Sequence, residues 1–340
     1  ESAFHMKVDI VGGSLSGLSA AISIKENNKK IDVTVYEKYK EIGYNFEGRR
    51  CGEAHTLSSE WDKITPRKKD IFNEVRKAEI YVGKKKFLLD TPKETGVILN
   101  RQEFISRLGK IAIKKGVEIK TNSKIKTIDE LNGEYIVDAS GCPSTIKREL
   151  KIDKGKKSNS YQQTLKNCNA FDSKTIKLYY SSDIGYYWVF PRDPKNKEVN
   201  VGLGFYKTPK VDLKNMLEDF KEQHNIVGKV DHISGGLIPM GLQRPFMHKN
   251  ILFVGDNCVG TFPLTGEGIY RALLSGNIAG NCIAKNKVNS YPRIITREFI
   301  KWDLICKTYF FTFEVLRNIN KNLVLSLVAK FLDKNLTPLT

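Results

Sequence analysis

A glycine-rich loop directly follows the first apolar segment of the chain. Residues 8–11 predict a short β-strand. Residues 12–17 are Gly-Gly-Ser-Leu-Ser-Gly, and the apolar residues after them recur at a spacing that predicts an α-helix. A second predicted strand, residues 31–36, ends at Glu37. A dinucleotide needs a tight turn and a helix N-terminus for its pyrophosphate, and a carboxylate for its ribose. A plain glycine turn explains the glycines alone, but the strand, the helix and the acid together favour a dinucleotide site.

The middle glycine of the usual GxGxxG pattern is replaced by Ser14. Gly12 would supply the tight turn, and Gly17 would allow close contact between helix and strand. Serine is small and can itself donate a hydrogen bond to a phosphate. The residues of this βαβ unit that we predict to bind the cofactor are Gly12, Gly13, Ser14, Leu15, Ser16, Gly17, Glu37 and Lys38.

A second motif lies near the end of the chain. A short apolar strand at residues 251–254 ends in Gly255 and Asp256, and a Gly-Glu-Gly segment at 266–268 begins a helix. In that helix small residues recur every four positions, at Ala272, Gly276 and Gly280, which allows a flat ligand or a backbone to come close. Tight helix packing explains the glycines alone, but it does not explain the acid and the Gly-x-Gly together.

These two motifs resemble the FAD-binding elements of the p-hydroxybenzoate-hydroxylase-type flavoproteins. The resemblance implies that the first loop holds the FAD pyrophosphate, that Asp256 binds the ribityl chain, and that residues 266–268 face the flavin ring. Arg101, which opens a predicted helix, matches an arginine that the superfamily directs at the FAD phosphates. The further residues implied to bind FAD are Arg101, Ser140, Gly141, Gly255, Asp256, Pro263, Gly266, Glu267, Gly268 and Ile269.

The segment Asp-Ala-Ser-Gly at residues 138–141 narrows the resemblance. Hydroxylases of the superfamily usually have Ala-Asp-Gly there, whereas the version with Ser140 resembles the geranylgeranyl reductases, which saturate isoprenoid double bonds in archaeal lipids and chlorophyll side chains. The segment Tyr-Tyr-Trp-Val-Phe-Pro at 186–191, followed by Gly-Leu-Gly at 202–204, is similar to their substrate-domain pattern. The resemblance implies substrate binding by Tyr186, Trp188, Phe190, Pro191 and Gly204.

The aromatic residues of that segment alternate along a predicted strand. Tyr186, Trp188 and Phe190 would therefore share one face of a sheet. That face could form an aromatic wall for an apolar chain or could pack on the core, and the composition favours neither.

Arg50-Cys51-Gly52-Glu53 resembles the Cys-Gly/Ala-Glu segment that lies beside the flavin in geranylgeranyl reductases. The resemblance implies that Arg50 and Cys51 bind the cofactor, and that Cys51, or a water near Gly266 and Gly268, is the catalytic proton donor. A free cysteine is otherwise most often a small buried apolar residue.

We predict an α/β (α+β) fold: a Rossmann-like FAD-binding domain with an inserted antiparallel-sheet substrate domain and C-terminal helices. Residues 61–75 are predicted to be helical, and residues 1–5 are interpreted as an expression scar. The predicted boundaries are 6–75, 97–155 and 245–290 for the FAD-binding domain, 76–96 and 156–244 for the substrate domain, and 291–340 for the helical segment.

Composition excludes several classes of protein. Hydrophobic residues make up 40% of the 340 residues and charged residues 28%, which are globular values. The six cysteines contain no CxxC pair, which argues against a disulfide scaffold or a zinc ribbon. The histidines have no metal-ligand spacing and are predicted to be surface residues (His55, His224, His232 and His248). The sequence contains no run of 18 or more uncharged apolar residues, so no transmembrane helix is predicted.

The predicted function is FAD-dependent reduction of C=C bonds in an isoprenoid lipid, with hydride transfer from the reduced flavin. NAD(P)H or a ferredoxin-like protein would be the electron donor. The alternative is a class A flavin monooxygenase that uses NAD(P)H and oxygen, against which Ser140 argues.

The net charge of +18 is explained by binding to nucleic acid, to an anionic membrane or to an acidic ligand, or by solubility alone. No nucleic-acid motif is present, so nucleic acid is not predicted as a partner. Apolar and basic residues crowd together near residues 301–317, in helices that could cover the FAD-binding domain, lie on a membrane, or do both. We therefore predict a cytoplasmic protein, peripheral on the anionic inner face of the cell membrane.

Overall fold

The computed structural model describes residues 6–44, 50–56, 64–90, 96–181, 185–205, 212–262 and 265–317, together with residues 326 and 330. The chain divides into two compact units. The first comprises Glu1–Phe46, Arg101–Lys157 and Ile238–Cys306, and the second comprises Glu47–Asn100, Ser158–Leu237 and Lys307–Thr340.

The regular elements are numbered along the chain. The strands are β1 (Lys7–Val11), β2 (Asp32–Tyr36), β3 (Ala54–Thr56), β4 (Ile71–Val75), β5 (Lys77–Val82), β6 (Lys85–Asp90), β7 (Gly96–Leu99), β8 (Glu118–Lys120), β9 (Tyr135–Asp138), β10 (Lys157–Lys166), β11 (Thr175–Ser181), β12 (Gly185–Asp193), β13 (Glu198–Phe205), β14 (Lys229–Pro239), β15 (Met247–His248) and β16 (Ile251–Phe253). The α-helices are α1 (Leu15–Asn27), α2 (Arg101–Lys114), α3 (Thr145–Glu149), α4 (Leu213–Gln223), α5 (Ile269–Ala284) and α6 (Tyr291–Arg317).

The first unit is built on a sheet with the strand order β15-β16-β9-β1-β2-β8. All pairs except β15–β16 are parallel, and α1 connects β1 to β2. Its central strands bury apolar residues such as Ile10, Val35 and Val137, as expected for a parallel sheet covered on both faces. The predicted Rossmann-like architecture is therefore confirmed.

Helix α1 packs closely on α5 through glycines. A Cβ atom on Gly280 would lie 2.5 Å from the carbonyl oxygen of Ala20, and one on Gly276 would collide with the carbonyl oxygen of Ser16. Gly276 and Gly280 therefore allow the backbone of α1 to pack directly on α5. Their spacing is explained by tight helix packing.

The second unit contains a seven-stranded sheet with the order β14-β10-β13-β12-β11-β5-β6. The pairs β5–β6, β10–β13, β11–β12 and β12–β13 are antiparallel, whereas β5–β11 is parallel. Helix α4 covers one face of this sheet, where Val201, Leu203, Leu217 and Phe220 belong to one buried cluster. A small antiparallel sheet, β3-β7-β4, completes the described part of the unit.

The prediction of a helix at residues 61–75 is wrong for the part that the structure describes. Residues 68–70 form one 3₁₀ turn and Ile71–Val75 is strand β4. Asn73 and Val75 are buried while Glu74 between them is exposed, which is the period of a strand rather than of a helix.

The predicted domain boundaries also need correction. Residues 47–75 were assigned to the cofactor domain, but β3 and β4 both pair with β7 and belong to the second unit. Residues 291–306, at the start of the predicted separate helical segment, belong to the first unit. Residues 1–5, interpreted as an expression scar, lie outside the described residues. Within the described ranges, no helix is both long enough and apolar enough to cross a membrane.

We expect Gly276→Ala to destabilise the first unit, because the new methyl group must push α1 and α5 apart. Overpacking of this kind costs about 1–3 kcal/mol. The measurement is urea unfolding followed by circular dichroism. Gly236→Ala is the matched control, since no atom lies within 4 Å of its Cβ position. Equal unfolding midpoints for the two variants would contradict the packing role of Gly276.

Candidate functional site

The glycine loop connects β1 to α1 in the first unit. Gly12 has a φ of +105°, and a Cβ atom there would lie 2.6 Å from the carbonyl oxygen of Ala139. A Cβ atom on Gly17 would collide with the carbonyl oxygen of Gly12. Both positions therefore require glycine, and the loop is held close to the residues that follow β9. Leu15 and Ser16 are buried at the start of α1.

Ser14 is the N-cap of α1 and bonds within the protein. Its Oγ accepts a hydrogen bond from the N–H of Gly17 at 3.3 Å and donates to the carbonyl oxygen of Ala139 at 3.1 Å. Serine is among the preferred N-cap residues, because its side chain satisfies a free N–H of the first turn. The replacement of the middle glycine thus caps the helix and ties the loop to the segment after β9.

Glu37 is buried at the end of β2 and faces the glycine loop. Its carboxylate accepts hydrogen bonds from the N–H of Gly13 at 2.8 Å and from the N–H of Tyr39 at 3.0 Å. The acid therefore holds the loop, and each oxygen keeps a further lone pair for a ligand hydroxyl. Lys38, beside it, is exposed, with its Nζ 4.7 Å from the ring centroid of Tyr39.

Asp256 follows β16 and lies near the start of α5. Burial raises the pKa of its carboxyl above the usual value, and the positive charge of Arg101, at the start of α2, opposes that shift. The Cβ position of Gly268, the N-cap of α5, is 4.0 Å from Asp256 Oδ1. The structure therefore brings Asp256, Arg101 and Gly268 into one neighbourhood.

The turns around Asp256 have glycine conformations. Gly255 has a φ of +65° and its N–H donates to Ser275 Oγ at 2.9 Å. Gly266 has a φ of +72° and its N–H donates to the carbonyl oxygen of Phe262 at 2.7 Å. Glu267 and Ile269 lie on either side of Gly268, and Pro263 lies outside the described residues.

The loop after β9 presents an open stretch of backbone. Gly141 has a φ of +89°, and no atom lies within 4 Å of its Cβ position. Ser140 stabilises this loop, because its N–H donates to Asp138 at 2.9 Å and its Oγ accepts from the N–H of Thr145 at 2.9 Å. Gly141 is therefore a place where a ligand can approach the backbone closely.

Asp138 and Lys147, both buried, lie close to this loop in the sequence. Burial raises the pKa of Asp138, which also accepts from Ser144 Oγ at 2.5 Å. Burial lowers the pKa of Lys147 to about 8, and its Nζ donates to the carbonyl oxygen of Gln243 at 2.6 Å. Asp138 therefore holds the loop through Ser140 and Ser144, and Lys147 ties α3 to Gln243.

The Cys51 segment, residues 50–53, lies in the second unit. Gln162 Nε2 donates to the carbonyl oxygens of Arg50 and Cys51 at 3.3 and 3.2 Å, and Ser234 Oγ donates to that of Arg50 at 2.7 Å. Arg50 also pairs with Asp231 at 3.4 Å. The Cys51 thiol is exposed, and its Sγ accepts a hydrogen bond from the N–H of Glu53 at 3.1 Å.

The aromatic row of β12 faces the Cys51 segment. Trp188 stands opposite Gly202 in the sheet, and its Nε1 donates to Gln162 Oε1 at 2.9 Å. The ring of Phe190 lies 2.7 Å from the Cβ position of Gly52, so a larger residue would not fit there. Trp188 and Phe190 are buried, whereas Tyr186 is half-buried.

The opposite side of the same strands carries the core beneath α4. Val189 is in the buried cluster, and Tyr187 stacks on Phe220 at 4.3 Å between centroids. The aromatic row is therefore separate from that core. Pro191 continues β12 beyond Phe190, and Gly204 pairs with Tyr186.

Sequence reasoning missed the polar residues of this face. Gln162 and Thr164 on β10 and Asn200 on β13 lie on the face that carries the aromatic row, and they are buried. Glu53, Arg192 and Glu198 form a buried charged cluster beside them. Glu198 and Asn200, which alternate with valines along β13, were the signal that could have indicated this polar face.

Comparison with known proteins gives two family matches. Residues 157–237 match the geranylgeranyl reductase catalytic domain, and residues 10–61 match the NAD(P)-binding Rossmann-like domain. Residues 157–237 of the chain are therefore similar to the geranylgeranyl reductases. The resemblance predicted from the sequence and the α/β fold class are thereby confirmed.

Curated relatives span most of the chain. A digeranylgeranylglycerophospholipid reductase of Methanocella arvoryzae is 28% identical over 309 residues, which cover 80% of this chain and 75% of the relative. The enzyme of the same name from Thermoplasma volcanium is 26% identical over 317 residues, covering 83% and 78%.

Solved structures share the fold. A geranylgeranyl bacteriochlorophyll reductase-like protein from Thermoplasma acidophilum superposes with a TM-score of 0.80 at 24% identity, covering 96% of this chain and 91% of that one. A flavin-dependent halogenase gives a TM-score of 0.69 at 16% identity, covering 94% of this chain and 66% of that one. At identities below 25%, these two likenesses show the fold alone.

His55, predicted as a surface residue, is half-buried in strand β3. Loss of solvent lowers the pKa of its imidazole to about 4 from the usual 6.5. Because the folded protein holds this ring neutral, the unfolded chain takes up its proton first as the pH falls.

The free energy of unfolding should therefore decrease as the pH falls from about 6.5 towards 4, and His55→Gln should remove part of that decrease. The measurement is urea unfolding at several pH values between 7 and 4, with intrinsic fluorescence as the readout. Parallel pH dependences for the wild-type protein and the variant would contradict a neutral buried His55.

Proposed function

We propose that this protein is an FAD-dependent reductase that saturates C=C bonds in an isoprenoid chain carried by a lipid. The observation that carries the proposal is that residues 157–237, which match the geranylgeranyl reductase catalytic domain, supply Gln162 and the aromatic row that contact the Cys51 segment. The curated relatives are named digeranylgeranylglycerophospholipid reductases, which supports a geranylgeranyl phospholipid as the substrate class.

The first unit has the features that FAD requires. The glycine loop lets a pyrophosphate reach the N-terminus of α1, where Ser14 caps the first turn. Gly141 offers open backbone in the loop after β9. The residues we propose to hold FAD in this unit are Gly12, Gly13, Ser14, Leu15, Ser16, Gly17, Glu37, Lys38, Arg101, Ser140, Gly141, Gly255, Asp256, Pro263, Gly266, Glu267, Gly268 and Ile269. Arg50 and Cys51, in the second unit, remain predicted cofactor contacts.

Bound FAD, once reduced, supplies a hydride from the flavin N5 atom. Glu37 would accept from a ribose hydroxyl while it holds the glycine loop. Asp256 would accept from the ribityl chain, and the positive charge of Arg101 would offset the phosphates.

The aromatic face suits a chain without hydrogen-bonding groups. The Trp188 indole N–H already donates to Gln162, so the face presents rings rather than free donors. Tyr186, Trp188, Phe190, Pro191 and Gly204 are the residues we propose to contact the isoprenoid. Burying apolar surface in contacts of this kind contributes a favourable free energy of roughly 25 cal/mol per Å².

An isolated double bond accepts hydride poorly, so a proton must reach the other carbon in the same event. The exposed Cys51 thiol is the donor we propose, and the N–H of Glu53 would stabilise the negative charge that remains on the sulfur. A water held near Gly266 and Gly268 is the alternative source of this proton.

The main test is a single-turnover experiment without oxygen. The yellow holoenzyme is reduced with dithionite and mixed with a geranylgeranyl phospholipid. We expect the flavin spectrum to return to the oxidised form and the lipid to gain two hydrogens for each saturated bond, measured by absorbance and mass spectrometry. A flavin that stays reduced, with unchanged lipid, would contradict the proposal.

Two variants refine this experiment. Cys51→Ser should slow flavin reoxidation by about 10²-fold or more if the thiol is the general acid. Asp256→Asn should weaken FAD retention, measured by fluorescence of released flavin. NAD(P)H oxidation in air that the lipid stimulates, with an oxygenated product, would instead indicate a monooxygenase.

The electron donor is tested separately, with the same reduced-flavin readout. NADH, NADPH and a reduced ferredoxin are each supplied without oxygen. The donor is the one that reduces the flavin at a rate equal to or faster than turnover.

A lipid substrate requires access to a membrane. Helix α6 exposes Leu304, Phe311 and Val315, which lie seven and four residues apart and therefore share a face. Together with the net charge of +18, this supports a peripheral location on the anionic inner face of the cell membrane, on the cytoplasmic side.

We expect Leu304→Ser combined with Phe311→Ser to reduce binding to anionic vesicles by about tenfold, because two buried apolar side chains are lost. The measurement is co-sedimentation with phosphatidylglycerol vesicles, and pure phosphatidylcholine vesicles report the charge contribution. Val227→Ser is the matched control, since Val227 is an exposed apolar residue of the second unit. Equal binding by all three proteins would rule out α6 as the docking surface.

A further inference from the structure

We propose that the Arg192 triad, formed by Arg192, Glu53 and Glu198, positions the Cys51 thiol for the reaction. Arg192 Nε donates to Glu53 Oε2 at 2.6 Å, and Arg192 Nη1 donates to Glu198 Oε2 at 2.5 Å. All three residues are buried. The proposal rests on the proposed function in one respect only, namely that the thiol takes part in catalysis.

A β-bulge directs Arg192 into this cluster. Pro191 pairs with Val199 and Asp193 pairs with Glu198, so Arg192 is the extra residue of β12. Bulges re-aim a side chain and recur next to active sites. The guanidinium also lies over the ring of Phe72, at 4.0 Å from the centroid, which fixes its plane.

The triad acts on Cys51 through the backbone of Glu53. Glu53 has a φ of +61°, a left-handed conformation that a glutamate rarely adopts. In this conformation its N–H donates to Cys51 Sγ at 3.1 Å. Because the Glu53 carboxylate is held by Arg192, the triad fixes the N–H that the sulfur accepts.

Asn200 adds a second hold on the same turn. Its Nδ2 lies 3.2 Å from Glu53 Oε2 and 3.4 Å from the carbonyl oxygens of Cys51 and Gly52, while its Oδ1 accepts from Thr164 Oγ1 at 2.7 Å. The turn is therefore tied to the sheet on both its side-chain and its main-chain groups.

Stability alone does not account for this cluster. A buried ion pair often contributes no more to stability than apolar residues of the same volume, because both charges lose their hydration. The triad has two carboxylates for one guanidinium, which makes its burial costlier still. Its directed hydrogen bonds do, however, fix an atom position closely, and an acid that must act together with a hydride needs that precision.

The test is the alkylation rate of Cys51 in the folded holoenzyme. Iodoacetamide is added at pH 7, and peptide mass spectrometry follows Cys51 alone. The thiolate is the reactive form, so loss of the N–H donor should slow alkylation. We expect Arg192→Met to slow it about three- to tenfold, the worth of one hydrogen bond, and Arg192→Lys to restore part of the rate.

The steady-state parameters provide the second readout. A displaced thiol should lower kcat by about tenfold while KM changes less than twofold, because the isoprenoid contacts are untouched. Glu198→Gln should act in the same direction. Glu218→Gln is the matched control, since it removes an ion pair with Lys221 on the α4 side of the sheet and should leave alkylation and kcat unchanged.

An unchanged Cys51 alkylation rate in Arg192→Met and Glu198→Gln, both folded by circular dichroism, would overturn the proposal. If Arg192→Met does not fold, Glu198→Gln and Asn200→Ser decide the same question. A wild-type protein that reduces no isoprenoid would overturn the proposed function instead, and the alkylation rates would still decide whether the triad positions the thiol.

Discussion

The first unit depends on backbone meeting backbone at distances that only glycine allows. Gly12 lies against the carbonyl of Ala139, Gly17 against that of Gly12, and Gly276 against that of Ser16. These approaches fix α1 on the parallel sheet and α5 on α1. The first turn of α1 therefore has little freedom, which is what a site needs if a ligand is to be held by main-chain N–H groups. Ser14 and Glu37 complete this arrangement, since both bond to the loop itself.

In the second unit, the two faces of the seven-stranded sheet have different roles. Odd-numbered residues of β10, β12 and β13, such as Leu165, Val189 and Val201, lie in the core beneath α4. Even-numbered residues, such as Gln162, Trp188 and Asn200, hold the Cys51 segment. Burial of polar side chains on the second face is tolerated because each one named here has a hydrogen-bond partner.

Much of the fold followed from the sequence, because its signals are local. The βαβ unit around Gly12 and Gly17 combines a strand, a glycine turn and a capped helix within one short segment. The helix expected at 61–75 was wrong because the described strand Ile71–Val75 is short and is defined by its pairing with β7, which follows only after two further strands. The domain boundary failed for the same reason.

Some residues of the candidate site could likewise be predicted from the sequence, and others could not. Asp256 and Gly268 lie near each other because they flank the consecutive elements β16 and α5, whereas Arg101 reaches them from α2 and was placed there only by the resemblance. The Arg192 triad could not be predicted from the sequence, because it depends on a β-bulge at 191–193 that no residue type indicates. Gln162 was missed because a single glutamine in a strand has many roles, and only the register opposite Gly202 and Trp188 gives it one.

The alternation of the second sheet has an evolutionary consequence. Odd and even positions of β10, β12 and β13 serve different faces of the sheet. Selection for a longer, shorter or bulkier substrate can act on Tyr186 without loosening the packing beneath α4. Gly202, opposite Trp188, is an exception, since a side chain there would displace the indole ring. Diversification within such a scaffold would therefore concentrate at half-buried positions such as Tyr186, whereas Gln162, Trp188 and Asn200, which are buried and hydrogen-bonded, would be retained.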